Sequence, residues 1–158
     1  SDDITLLLLD IGRRDSASSQ ISREFRRGPK LTGRVETWLR RELDQHSVPE
    51  QVIGELMLVV EEIVSNVDKY AQLPTDAGIR VMALVNPLEI GIEVIDSGPD
   101  FNPLAQSERA ELGAATNDAA IGGLGLYLIT ALTDRQSYRR VDGCNILRVT
   151  KLLEQAQE

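Results

Sequence analysis

The sequence predicts an α+β domain in which a mixed, mostly antiparallel sheet carries its helices on one face. Three patterns predict this class. Apolar residues recur at helical spacing through positions 31–70, two strand-like segments follow at positions 79–95, and Asp142-Gly143 is a strong turn pair between two more. Because the helices stand between runs of strands, one sheet covered on one face accounts for the pattern.

The N-terminal part predicts two strands and a helix. Ile4–Ile11 is apolar enough for a strand, Gly12–Gln20 is a polar linker, and Ile21–Arg26 is a weaker strand. A helix follows, because charged residues separate apolar ones at helical spacing. Those apolar residues are Leu31, Val35, Trp38, Leu39 and Leu43.

A second helix is predicted to begin at a capping box and to run to about Tyr70. Ser47 is the expected N-cap, Pro49 suits the first turn, and Glu50 completes the box. The apolar stripe of this helix consists of Ile53, Leu56, Val60, Ile63, Val64 and Val67.

The remaining strands are predicted in two pairs. Ile79–Val85 and Leu88–Ile95 are joined by a short turn, and the second of them alternates apolar and polar residues. Arg135–Val141 and Cys144–Leu152 form a hairpin about the turn pair named above.

The composition limits the classes of function. A chain of 158 residues, 42% of them hydrophobic, is long enough for one domain with a real core. Its net charge of −8 argues against a nucleic-acid surface, and we interpret Arg23, Arg26, Arg27 and Lys30 as a solvated strand end. The single Cys144 fits a reducing cytoplasm, and no segment has the length of a membrane span.

A glycine-rich run, Gly122–Gly125, leads directly into the apolar segment Leu126–Leu132. Glycines let a backbone approach a ligand closely, and a helix beginning here would aim its unpaired N–H groups at a phosphate. The alternative is a flexible hinge before a core helix. The long connection Asn102–Ile121, with a short helix around Ser107–Glu111, has the length of a functional lid.

Two polar residues lie one turn apart on the second helix. Glu62 and Asn66 share a face beside the apolar stripe. The Asn66 carbonyl suits Mg²⁺ carried by a triphosphate, and the Glu62 carboxylate suits a general base. The alternative is a solvated polar pair, and Glu61 is a rival acid that points about a hundred degrees away around the helix.

A carboxylate also ends the strand Leu88–Ile95. Asp96 can accept a hydrogen bond from an exocyclic amine such as that of adenine, and Gly98 lets the backbone pass close to a flat base. The alternative is an ordinary turn after a strand.

Taken in order, these segments resemble the nucleotide-binding boxes of the GHKL ATPase superfamily. Glu62–Ala71 resembles its N box, Asp96–Leu104 its first glycine box, and Gly122–Leu126 its second. The C-terminal part narrows the resemblance to the anti-sigma-factor serine kinases of the RsbW type, particularly copies fused to protein phosphatases. This narrower match covers residues 18–153 and includes Ile121–Asp134, Tyr138, Arg139, Arg140, Gly143, Asn145 and Lys151.

The resemblance implies a Bergerat fold that binds ATP and Mg²⁺. By position, Asn66 would hold the metal, Glu62 would be the catalytic base for the acceptor serine, Asp96 would accept from the adenine amine, and Gly98 would lie beneath the base. The remaining cofactor-binding residues that it implies are Phe101, Gly122, Gly123, Leu124, Gly125 and Leu126, with Asn102–Ile121 as the ATP lid.

The implied function is an ATP-dependent serine/threonine kinase of a bacterial partner-switching pathway. Its substrate would be a serine on a STAS-domain anti-anti-sigma protein, and it would be a cytoplasmic homodimer that can also sequester a sigma factor or similar regulator. The alternative is a nucleotide-gated anti-sigma or regulator-binding module with little or no kinase activity. A sensor histidine kinase lacks support, because the single His46 lies in a predicted turn.

Two positions depart from the family pattern, and one segment stands outside it. Tyr70 replaces a frequent histidine beside the phosphates, and Asp100 replaces a glycine or proline, which adds negative charge. The first residues, from Asp2 to Leu9, resemble the closing strand of PPM/SpoIIE-type phosphatases. We therefore divide the chain into residues 1–17, a strand and linker that is either native or the tail of an upstream phosphatase, and an ATP-binding kinase domain at 18–158.

Overall fold

The computed structural model of the chain describes residues 18–71, 74, 76–105 and 117–154, with the backbone alone for 117–124. In chain order the elements are β1 (Ser19–Arg26), α1 (Leu31–Gln45), α2 (Glu50–Tyr70), β2 (Gly78–Val85), β3 (Glu89–Asp96), a 3₁₀ turn (Pro103–Ala105), α3 (Asn117–Leu132), β4 (Arg135–Val141) and β5 (Cys144–Leu152). The strand predicted at Ile4–Ile11, the linker after it, the phosphatase-like first residues and the short helix around Ser107–Glu111 lie outside these residues.

The five strands form one sheet in the order β1-β2-β3-β5-β4. The α+β class is confirmed. The sheet is not mixed, however, because each pairing among the described strands is antiparallel. The register aligns Ile79 on β2, Asp96 on β3, Asn145 on β5 and Arg140 on β4 in one row across the sheet. Residues of one row whose side chains share a face are neighbours, so this row brings three polar side chains together.

The core lies between the sheet and the helices. α2 is the central helix and packs against α1 on one side and α3 on the other. Its predicted apolar stripe is buried, and Phe25 of β1 meets Trp38 of α1 edge to face with ring centroids 5.5 Å apart. Among the described residues, no helix combines the length and the apolar character needed to cross a bilayer.

The turn between α1 and α2 differs from its prediction. Ser47 does not cap α2. Its φ is 58°, its N–H donates to the Asp44 carbonyl, and α2 begins at Glu50 after Pro49 with no side-chain cap. The next residue, Val48, is buried and donates its N–H to the Leu43 carbonyl. The backbone at Ser47 therefore closes α1 in a left-handed conformation, which excludes the extended N-cap geometry.

Candidate functional site

Glu62 and Asn66 lie on one side of α2, and both side chains are half-buried. Neither side chain forms a hydrogen bond or ion pair with another described residue. Since no described residue occupies their polar atoms, both side chains are available to a ligand. Their relation is the one that the helical spacing predicts.

Glu61 faces a different neighbour. It is exposed, and its charge acts on Glu36 of α1, where burial first and Glu61 second raise the pKa of the Glu36 carboxyl. Glu61 therefore belongs to the α1–α2 surface. Glu62 is left as the acid on the same side as Asn66.

The Glu62 carboxylate lies directly against the backbone of Gly125 on α3. A Cβ placed on Gly125 would fall 2.9 Å from Cδ of Glu62 and closer still to Oε2. The segment predicted as the N box therefore meets the segment predicted as the second glycine box.

The glycine run is helical, which differs from the prediction that a helix begins after it. α3 begins at Asn117, so Gly122, Gly123 and Gly125 lie inside the helix. Each glycine lowers the stability of a helix by only about 1 kcal/mol, and every added residue contributes a further backbone hydrogen bond. In this conformation the N–H groups of the run point along the helix, and the Leu126 side chain is buried in the core.

Asp96 ends β3 on the helix-covered face and is almost completely buried. Its Oδ1 accepts hydrogen bonds from the Gly98 N–H and from Nδ2 of Asn145, both at 2.9 Å. No described residue donates to Oδ2. One carboxylate oxygen is thus held by the protein, and the other is available to an amine donor.

Asn145 is the residue that connects this site, and the sequence interpretation gave it no role. Its Oδ1 accepts from the Phe101 N–H at 3.1 Å and from the Arg140 guanidinium at 2.9 Å. The Tyr138 hydroxyl shares its single proton between this oxygen, at 2.6 Å, and Asp100. Its Nδ2 donates to Asp96 and also to the Pro99 carbonyl at 2.8 Å. The available signal was an asparagine between the apolar residues of a predicted strand, because a buried amide needs several partners.

The Asp100 carboxylate is held by a hydrogen bond from β4. The Tyr138 hydroxyl donates to its Oδ1 at 2.7 Å, and the Arg140 guanidinium donates to the neighbouring Gly98 carbonyl at 3.0 Å. Burial, and then the hydrogen bond to Asp100, raise the pKa of Tyr138, so this hydroxyl stays protonated and donates. The Asp100 carboxylate is therefore directed at β4.

The end of α2 is fixed next to these residues. The Arg27 guanidinium binds both the Asp68 carboxylate at 2.9 Å and the Asp68 carbonyl at 3.0 Å, two residues beyond Asn66. Tyr70 lies near Phe101, with ring centroids 6.3 Å apart. The N box and the Asp96 loop thus lie side by side, as the order of the boxes predicts.

The donors available to a metal are few. Among the residues that the structure describes, no three His, Cys, Asp or Glu side chains group closely enough to hold a metal ion. A lone amide carbonyl at Asn66 fits Mg²⁺, which keeps several waters and is usually bound through one or two protein ligands together with phosphates. His46 is accounted for by a 2.8 Å contact of Nδ1 with the Glu42 carbonyl at the end of α1.

Comparison with known proteins gives the family of this domain. Residues 25–151 match the histidine kinase-like ATPase domain. The chain belongs to this family, and within it to the RsbW type.

Two serine kinases illustrate the relationship. The serine/threonine-protein kinase BtrW of Bordetella bronchiseptica is 30% identical over 96 residues, which are 60% of this chain and 67% of that protein. The serine-protein kinase RsbW of Listeria monocytogenes is 29% identical over 111 residues, which are 68% of this chain and 70% of that protein.

Solved structures confirm the fold. The RsbU and RsbW domains of a Mycobacterium tuberculosis protein superpose with a TM-score of 0.63 at 17% identity, over 88% of this chain and 34% of that one. This chain thus spans about a third of the mycobacterial chain. The SiaB-SiaC complex of Pseudomonas aeruginosa gives a TM-score of 0.59 at 14% identity, over 96% of this chain and 99% of that one.

Proposed function

We propose that this chain is an ATP-dependent protein serine kinase of a bacterial partner-switching pathway, and that its substrate is a serine on a STAS-domain anti-anti-sigma protein. The observation that carries the proposal is Glu62, a carboxylate with no partner among the described residues, one helical turn from Asn66 and in contact with the glycine run. A carboxylate at this place can act as a general base for an acceptor hydroxyl, which phosphotransfer uses and nucleotide binding alone does not require. The two serine kinases among its relatives support the same activity.

The nucleotide would be held at both ends. Oδ2 of Asp96 would accept from the adenine amine, with Gly98 and Phe101 beside the base. Gly122, Gly123 and Gly125 would contact the phosphates through their N–H groups. In the helix these groups bond to carbonyls four residues earlier, so the contact requires only the part of α3 before Gly122 to unwind. The backbones of Leu124 and Leu126 would lie beside the phosphates at the new start of the helix.

Phosphoryl transfer requires a base, a metal and an aligned acceptor. Asn66 would bind Mg²⁺, which neutralises phosphate charge when it is present. Glu62 would take the proton from the acceptor serine as its Oγ bonds to the γ-phosphorus. The bond to the β–γ bridging oxygen would break, and ADP would leave with that oxygen and its electron pair.

The assembly follows from the relatives by analogy. We propose a homodimer in the cytoplasm, with sequestration of a sigma factor or similar regulator as a second activity. The complex of SiaB with SiaC supports a protein partner for this fold. The alternative is a nucleotide-gated binding module with little or no kinase activity, which would share the same nucleotide contacts.

The test is transfer of label from γ-labelled ATP, with Mg²⁺, to the STAS-domain protein encoded nearest the gene. We expect one phosphoserine on that partner, and none when the partner's serine is replaced by alanine. ATP binding with no transfer to any STAS-domain protein of the organism would support the binding module.

A further inference from the structure

Gly125 occupies a position where the backbone does not require glycine. It is buried in the middle of α3, and its φ is not in the positive range that only Gly28 and Gly143 occupy among the described glycines. Any residue can adopt a helical φ, and glycine is about 1 kcal/mol less favourable in a helix than alanine. Something other than backbone conformation therefore explains a glycine here.

The space beside Gly125 is filled by Glu62. Both the carboxyl carbon and Oε2 of Glu62 lie where an alanine Cβ at position 125 would need room. No described residue donates a hydrogen bond to Glu62, so packing against α3 is what fixes its carboxylate.

We propose that Gly125 is a positioning residue for Glu62, whose missing side chain leaves the space in which the carboxylate stands ready to accept the proton of a serine hydroxyl. This inference rests on the proposed kinase function. The proposed role of Gly125 is separate from its phosphate contact. It acts through the Glu62 carboxylate and not through the nucleotide. A methyl group at this position displaces the end of a flexible side chain, so the fold tolerates it while the geometry of the base changes.

The structure supplies a matched control. Gly54 lies inside α2, and a Cβ there would meet nothing within 4 Å. Gly54→Ala makes the same chemical change in a helix and gains the same helix propensity, without touching Glu62.

The decisive experiment is a double-mutant cycle between positions 62 and 125. We expect Gly125→Ala to lower kcat for phosphotransfer by about tenfold or more, because small misplacements of a catalytic group are costly, and to change the Kd for ATP by less than about threefold. Gly54→Ala should match the wild type. In the Glu62→Asp background the added Gly125→Ala should lower kcat by less than about twofold. The aspartate carboxyl carbon takes the place of Cγ of Glu62, which would lie 3.6 Å from the new methyl group, an ordinary van der Waals distance.

Two results would overturn the inference. One is an unchanged kcat in Gly125→Ala, and the other is an equal loss of kcat in both backgrounds, which would assign Gly125 to the phosphates. If Glu62→Gln is itself fully active, the proposed base is wrong and the failure lies with the proposed function.

Melting temperatures give a second test that needs no substrate. In a Glu62→Ala background, Gly125→Ala should raise the melting temperature as Gly54→Ala does. In the wild type, contact with the carboxylate should cancel that gain. An equal rise in both backgrounds would contradict the proposed contact.

Discussion

Asn145 donates from Nδ2 to Oδ1 of Asp96 across the β3–β5 pairing, at 2.9 Å and with both residues 3% exposed. This bond leaves the other oxygen of Asp96 as the acceptor that a nucleotide base can use. The same amide binds the backbone of the loop after β3 at Phe101 and Pro99. The orientation of the carboxylate proposed to bind the base and the shape of the loop therefore depend on one side chain.

Replacing Asn145 by alanine should lower both the affinity for ATP and the free energy of unfolding, and the loss of affinity should be the larger effect. The change leaves buried partners without an acceptor and a donor, so we expect the free energy of unfolding to fall by about 2–3 kcal/mol. The preference for ATP over a purine nucleotide that lacks the 6-amino group should also shrink, because Asp96 is no longer fixed. Calorimetric titration with both nucleotides measures this ratio.

A purely structural Asn145 would behave differently. Affinity for both nucleotides would then fall by the same factor. Ser137→Ala on the exposed face of β4 is a suitable control, because Ser137 lies outside this network and should leave both affinities unchanged.

Replacing Asn66 by alanine should remove the dependence of ATP binding on Mg²⁺. The amide carbonyl is the proposed metal ligand, and its neighbours on α2 are Ser65 and the buried Val67. We expect the affinity for Mg-ATP to fall to that for metal-free ATP, while Ser65→Ala keeps the difference. Equal strengthening of ATP binding by Mg²⁺ in the wild type and in Asn66→Ala would exclude Asn66 as a ligand.

The contacts of Lys151 that join α2 to the end of α3 should weaken as the pH falls into the acid range. The Lys151 ammonium binds the Glu55 carboxylate at 2.5 Å and the Leu132 carbonyl, at the end of α3, at 2.9 Å. The hydrogen bond from Lys151 lowers the pKa of Glu55 below its ordinary value of 4.5. A lowered pKa contributes stability above the unfolded-state value, and that contribution is lost as the pH falls through the folded-state value.

We therefore expect the unfolding free energy of the wild type to fall more steeply below pH 4.5 than that of Glu55→Gln. Urea denaturation at a series of pH values measures both curves. Glu154→Gln, at an exposed position after β5, should follow the wild type. Parallel curves for the wild type and Glu55→Gln would show that the contact with Lys151 does not stabilise the fold.

Local signals in the sequence were sufficient for most of the fold. The hairpin was predicted with its observed bounds, because Asp142 and Gly143 both adopt the positive φ of a type I′ turn, at 51° and 76°. The end of α2 at Tyr70 was also predicted. The prediction of Ser47 as an N-cap was wrong, because its backbone closes the preceding helix. A capping pattern considers only the residues that follow, so it does not reveal this role.

The candidate site was predicted less completely, for a physical reason. Motif order identified Glu62, Asn66 and Asp96, which are positions on single elements. Asn145 contributes through bonds to residues 44 to 49 positions away, and such a network depends on strand register. The glycine run was predicted as a loop before a helix because glycine permits a loop. In the structure α3 begins at Asn117, and the helix continues through the run.

A comparison of Glu62 with its neighbour Glu61 shows most directly whether Glu62 is the general base. Phosphotransfer from Mg-ATP to the STAS-domain partner should fall by at least about a hundredfold in Glu62→Gln, as expected for loss of a general base, with ATP affinity retained. Glu61→Gln, one residue away on the α1–α2 surface, should transfer phosphate at the wild-type rate. Equal rates in Glu62→Gln and the wild type would contradict the assignment of Glu62 as the base.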